Sequence, residues 1–259
     1  MLKSCKMAKY SEDELLWRHI LTRFNKGISQ YGLIDDGDNI MVALSGGKDS
    51  MALLSLLAEK SRIFKPRFSV VAVHVVMQNV GYKSDIDYLR DFSASLGVPF
   101  FHVETSYEYS VQSGKPHCFL CSWNRRKVLF SKAKEMGCNK IALGHHMDDI
   151  LETLLMNMLF AGSPSPMAPL LKMNKFDMTI IRPMCLIRER DLSRLAEARG
   201  FREQTVKCPH ERATNRLRMK QLLAEMEQIN PEACYSLWRC VDKMLSAGHT
   251  ADSESDKVF

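Results

Sequence analysis

The stretch from Ile40 to Leu57, IMVALSGGKDSMALLSLL, constrains the fold more than any other part of the chain. Ile40 to Leu44 is a short apolar run that reads as a buried strand, Ser45-Gly46-Gly47 stops it, and a helix follows from Asp49. Strand, glycine turn and helix in succession open a βα unit and create an anion site. Two glycines let the backbone approach a ligand, and the helix start offers free N–H groups at the positive end of its dipole. The Walker loop would need glycine at 42 and Ser or Thr at 49, where the chain has Val42 and Asp49, so that loop is excluded. An ordinary turn with a serine cap is the competing reading.

Further runs at 68–76, 99–103, 139–143 and 178–182 read as strands, with helical stretches at 84–96, 119–136, 147–160 and 189–199 between them. This alternation predicts a parallel sheet covered by helices on both faces. Residues 11–33 read as an amphipathic helix ending near Gly32, with Leu15, Leu16, Ile20, Leu21, Phe24 and Ile28 on its apolar stripe. Residues 161–176, with three of the nine prolines, read as a loop. The expected organisation is an N-terminal helical extension (1–35), an α/β domain (36–205), a helical segment (206–246) and a disordered tail (247–259).

No apolar run is long enough to span a membrane and no apolar leader precedes the first charges, so the cytoplasm is the expected compartment. There the eight cysteines are thiols or metal ligands rather than disulfides. Cys138, Cys185, Cys234 and Cys240 read as core residues, and Met147, Met156 and Met158 as core packing. The net charge of +6 is compatible with a polyanionic substrate meeting one basic face.

LGHHMDD begins at Leu143, at the carboxyl end of a strand, and brings His145, His146, Asp148 and Asp149 towards the loop. The competing reading of these is a buried capping acid and a core histidine. Cys118 and Cys121 form a C-x-x-C pair at the start of a basic helix, where thiolate is favoured. Cys208 is the other cysteine in a loop-like setting, and His210 is the candidate fourth ligand if the metal is zinc. Arg182 reads equally as a phosphate clamp or a structural ion pair. Arg125, Arg126 and Lys127 beside the pair, with Arg216, Arg218 and Lys220 beyond Cys208, form two basic strips expected to contact RNA phosphate at one mouth.

SGGKDS after a buried strand resembles the signature of the PP-loop ATP pyrophosphatases, a HUP-type superfamily. With C-x-x-C and two arginines, then LGHH-x-DD, IRP and a third cysteine in this order, residues 15 to 230 resemble the tRNA 2-thiocytidine synthetase family. The resemblance implies an open parallel five-stranded sheet in the order 3-2-1-4-5. It implies ATP held by Ser45, Gly46, Gly47, Lys48, Asp49, Ser50, His74, Gly144, His145, Asp148, Asp149 and Arg182, with Mg2+ on Asp49. It implies a 4Fe-4S cluster on Cys118, Cys121 and Cys208 whose open iron suits a sulfur atom, and catalytic roles for Lys48, Asp49, Cys118 and Cys121. The implied reaction adenylates the C2 oxygen of cytidine 32 in tRNA and replaces it with sulfur from a cysteine desulfurase or sulfide. The oligomeric state, a homodimer among the options, stays open. The chain departs from the family in having a single cysteine in Cys208-Pro209-His210-Glu211 and Met147 where arginine is usual. The alternatives are a PP-loop ligase with a zinc site and a metal-stabilised RNA-binding module.

Overall fold

The computed structural model describes residues 10–78, 84–106, 117–173, 177–202 and 215–248. Helix α1 (Glu12–Tyr31) starts at a reciprocal Ser11–Glu14 capping box and stops at Gly32, whose φ of 57° is left-handed. Leu16, Ile20, Phe24 and Ile28 are buried as their spacing predicts, while Leu15 faces solvent.

Strands and helices then alternate: β1 (Asn39–Ala43), α2 (Lys48–Ser61), β2 (Ser69–Met77), α3 (Ile86–Ser95), β3 (Phe100–Thr105), α4 (His117–Glu135), β4 (Lys140–Ala142) and α5 (Met147–Met156). After these come β5 (Leu170–Met173), β6 (Met178–Ile181), α6 (Glu189–Ala198), α7 (Asn215–Ile229) and α8 (Ala233–Ser246). The sheet order is β3-β2-β1-β4-β6-β5. Five strands are parallel, with β6 in the place expected for the fifth.

The sixth strand corrects the sequence reading. Within the stretch read as a loop, Leu170 to Met173 pairs antiparallel with β6, Leu170 opposite Ile181 and Met173 opposite Met178. Pairing gives β6 a hydrogen-bonded neighbour and leaves the short four-residue β5 as the edge. The expected helix at 147–160 also changes form: α5 ends at Met156 and Asn157–Ala161 is a π turn closed by Gly162 at φ 62°. That turn leaves Met158 exposed, against its reading as core, whereas Met147 is buried.

Side chains alternate across the sheet. Ile40, Val42, Ala142 and Ile181 meet α1, α2, α3 and α6 on one face, through Phe24, Leu53, Leu57, Leu89 and Leu192. Met41, Val73, Ile141 and Ile180 meet Leu129, Phe130 and Ala133 of α4 on the other. Ile150, Leu154, Met219, Leu223, Trp238 and Val241 form a third cluster that joins α5, α7 and α8. Each fully buried aliphatic or aromatic side chain contributes roughly 1.5–3 kcal/mol. Cys138, Cys185 and Cys234 are buried as expected, and Cys240 is exposed, because it sits on the outer face of α8. Burial raises the thiol of Cys138 and pushes that of Cys234 up to about 12, so both are inert packing groups.

Candidate functional site

The turn between β1 and α2 is built as its sequence requires. Gly46 stands at φ 88°, a conformation that suits glycine, and Gly47 precedes the first turn of α2 with no side chain capping it. The turn is knotted by Ser50, whose hydroxyl donates to the Gly47 carbonyl (2.9 Å) and accepts from the Gly46 amide (3.2 Å) and the Ser45 hydroxyl (3.0 Å). The α2 amino end is therefore free to meet an anion, and the serine-cap reading falls away. Gly144, after β4, touches this turn: a Cβ there would lie 3.2 Å from both Asp49 C and Ser50 N.

Beyond the loop lies a cavity of about 600 Å3, within the range of small-molecule sites. Its polar wall holds Ser45, Asp49, Ser50, His145, Asp149, Arg125, Arg126, Arg182 and Arg216, and its floor is apolar, with Leu129, Phe130, Ile141 and Ile180. The two basic strips thus do reach one mouth through Arg125, Arg126 and Arg216. Arg216, however, is also held by the protein, its Nη1 donating to Asp149 at 2.9 Å.

Charge in the site is shared closely. Lys48 Nζ lies 3.3 Å from Asp49 Oδ2 and 3.4 Å from Glu189 Oε1. Burial alone would lower the Lys48 ammonium, but the two carboxylates outweigh it and hold it above its ordinary value. Burial raises the Asp49 carboxyl, with His146 and Lys48 opposing. Asp49 Oδ1 is buried without a hydrogen-bond partner among the described residues. Such an orphaned carboxylate oxygen fits a hard cation, and Mg2+ needs only one or two carboxylates beside phosphate and water. Among the described residues, no three His, Cys, Asp or Glu side chains converge as a fuller metal site.

The histidines divide by partner. His145 Nδ1 accepts from Arg182 Nε at 3.2 Å, so its Nε2 carries the proton in the neutral ring. Burial first, then the Arg182 and Arg216 charges, holds its pKa well below the ordinary range, making it a fixed donor on the cavity wall. His146 caps α5, its Nδ1 accepting from the Asp149 amide. His74, implied as a nucleotide contact, has both ring nitrogens engaged within the protein, Nδ1 at 2.7 Å from the Leu44 carbonyl and Nε2 at 2.9 Å from Ser84 Oγ.

Asp148 is not brought to the cavity with the others. It is buried against Arg188, with Nε at 3.1 Å and 3.2 Å from its two oxygens, and accepts from the Glu189 amide at 2.7 Å. Arg188 also bonds Glu227 on α7, so Asp148 is a buried structural acid, while the acid that caps α5 is Asp149, which accepts from the His146 amide at 3.1 Å. Glu189 and Lys220 join the loop only through the fold, Glu189 pairing with both Lys48 and Lys220. Neither motif nor spacing signals that α6 and α7 reach Lys48, although the Arg216–Lys220 spacing of four does place both cations on one helix face.

Cys121 is half-buried in the first part of α4, packed against the core cluster between α4 and the sheet, and its neighbour Ser122 lines the cavity. Cys118 is in the first turn of the same helix, and its side chain lies outside those described. Cys208 and His210 lie outside the described residues.

The profile of the PP-loop domain family matches residues 17–224. The tRNA-cytidine(32) 2-sulfurtransferase of Syntrophotalea carbinolica is 38% identical over 229 residues, covering 87% of this chain and 88% of that protein. The chain belongs to this family. The tRNA-cytidine(32) 2-sulfurtransferase of Geobacter sulfurreducens is 36% identical over 238 residues (88% and 91% coverage), and that of Geobacter metallireducens 34% over 255 residues (95% and 97%). Among solved structures, the U34-tRNA thiolase NcsA from Methanococcus maripaludis with its 4Fe-4S cluster superposes with a TM-score of 0.75 at 24% identity, covering 90% of this chain and 80% of that one. At that identity the likeness speaks to fold. Of the implied site, Ser45, Asp49 and Ser50 of the loop, Gly144, His145, Asp149 and Arg182 meet around one cavity, whereas Lys48 lines a second one beside α6.

Proposed function

We propose that the protein is an ATP-dependent tRNA thiolase that adenylates the C2 oxygen of cytidine 32 and exchanges it for sulfur. The observation that carries this reading is a cavity lined by Ser45, Asp49 and Ser50 of the uncapped loop and by four arginines, with the C-x-x-C helix on its wall. Lys48 and the free amides of α2 hold the leaving pyrophosphate, and Arg182 and Arg216 meet charge developing at the α-phosphate. His145, neutral and protonated on Nε2, donates to the substrate and takes no proton from it. The cytidine oxygen attacks the α-phosphate and pyrophosphate leaves; hydrosulfide, or a persulfide's outer sulfur reduced by two electrons from an external thiol reductant, then bonds to C2 and loses its proton to solvent as the C2–O bond breaks and AMP departs. Mg2+ on Asp49 Oδ1 would screen the pyrophosphate charge. A 4Fe-4S cluster on Cys118, Cys121 and Cys208 would offer an open iron for sulfur from a cysteine desulfurase or sulfide. Arg218 and Lys127, on the helices that edge the cavity, meet tRNA phosphates, and the reaction belongs to the cytoplasm. No helix among the described residues is long and apolar enough to cross a membrane.

The test is anaerobic incubation of the reconstituted protein with tRNA, ATP and sulfide, followed by nucleoside analysis. One 2-thiocytidine and one AMP per pyrophosphate are expected from brown, iron-containing protein. A colourless zinc protein that releases pyrophosphate but leaves the tRNA unthiolated would favour the ligase.

A further inference from the structure

Lys48 holds two carboxylates at longer range than Lys220 holds one. Its Nζ is 3.4 Å from Glu189, whereas Lys220 Nζ is 2.8 Å from Oε1 and 2.6 Å from Oε2 of the same residue. Glu189 stands in the first turn of α6, where the helix dipole favours an anion, and its side chain is largely covered. Two cations from different elements thus divide one fixed carboxylate, and the nearer one belongs to α7. One turn earlier on the same face, Arg216 holds Asp149 at 2.9 Å, so the α7 face is seated on acids that border the loop.

A phosphate entering the loop has to draw Lys48 from its carboxylates. Coulomb attraction falls with distance, and a carboxylate shared with Lys220 pulls on Lys48 less than the same carboxylate would if Lys48 were its sole cation. We propose that Lys220 is a positioning residue for the loop lysine: by holding Glu189 it leaves Lys48 able to turn to phosphate, and so links the seating of α7 to nucleotide affinity. The proposal rests on the reading that the loop binds ATP. Coupling of this kind is reciprocal. Nucleotide that takes Lys48 leaves Glu189 to Lys220 alone and tightens α7, the helix directly after the segment that carries Cys208.

Calorimetric titration with magnesium and the non-cleavable α,β-methylene analogue of ATP tests this on the full chain. Lys220→Met should weaken binding roughly two- to fivefold, the size of one partly screened ion pair. Glu189→Gln should bind at least as well as the parent, Lys220→Arg should restore parent affinity, and Lys220→Met should have no effect in the Glu189→Gln background. Amide exchange in α7 should slow on adding the analogue to the parent and stay unchanged in Glu189→Gln. Equal affinity of Lys220→Met and parent overturns the proposal, as does a loss that persists beside Glu189→Gln, which would mean a diffuse field. If the parent itself takes up no analogue, the reading of the loop fails, and this proposal with it.

Discussion

Asp148 and Asp149 are neighbours in sequence with opposite fates, and the difference is one helical step. Successive residues in an α-helix are turned by about 100°, so one carboxylate faces the buried Arg188 and the other faces Arg216 and the cavity. Asp49 has the opposite character to Asp148: one of its oxygens is buried without a partner, which is costly unless a ligand completes it. Asp49→Asn keeps the size and removes the charge that would hold Mg2+. ATP cleavage should fall by about two orders of magnitude, with melting temperature and iron content kept. Pyrophosphate release at the parent rate would remove Asp49 from its role. No local pattern separates these three acids, since each opens a helix and each would suit a cap.

At the scale of elements, the interface of α5 with α7 carries a titrating group. Glu152, buried on α5, lies 3.8 Å from Arg216 of α7. Burial first and the Asp149 charge second push its carboxyl up from an ordinary 4.5 to about 7. A raised carboxyl contributes its full stability when protonated, below its unfolded value, and loses it as pH rises through the folded value. Glu152→Gln should therefore stabilise the protein at about pH 8, on the order of 2 kcal/mol, and the gain should vanish towards about pH 5. Thermal melts across that range check it, and a gain independent of pH would mean that Glu152 is not the titrating group. The interface was not legible beforehand. The helical periods of α5 and α7 were, but which faces meet depends on docking through Ile150, Leu154, Met219 and Leu223.

The whole molecule must bring the C-x-x-C helix and the segment before α7 to one place if three thiols are to share a cluster. The structure supplies half of that arrangement: α4 lines the cavity through Ser122, Arg125 and Arg126, and α7 reaches it through Arg216. Cys208→Ala should lower bound iron and abolish 2-thiocytidine formation, while nucleotide binding stays near the parent value because the loop belongs to the sheet. Iron analysis, nucleoside analysis and calorimetry read the three arms. Full iron with thiolation intact would dismiss the three-cysteine site. Net charge of +6 says little about where RNA would lie, because the arginines proposed to meet it are picked out by their place at one mouth and not by their number.

The strand order came with the family resemblance; by itself the sequence determined the strand, glycine turn and helix around Gly46, the helix stop at Gly32 and the alternation of strands with helices. These follow from backbone limits and from apolar spacing that repeats every two or nearly four residues, so a few neighbours suffice. Tertiary structure alone decided that Leu170 to Met173 would pair with β6, that Asp148 would be spent on Arg188, and that Lys48 would share Glu189 with Lys220. A four-residue strand carries too little periodicity to announce itself, and an ion pair between distant segments exists only once packed helices have set both side chains within a few ångströms.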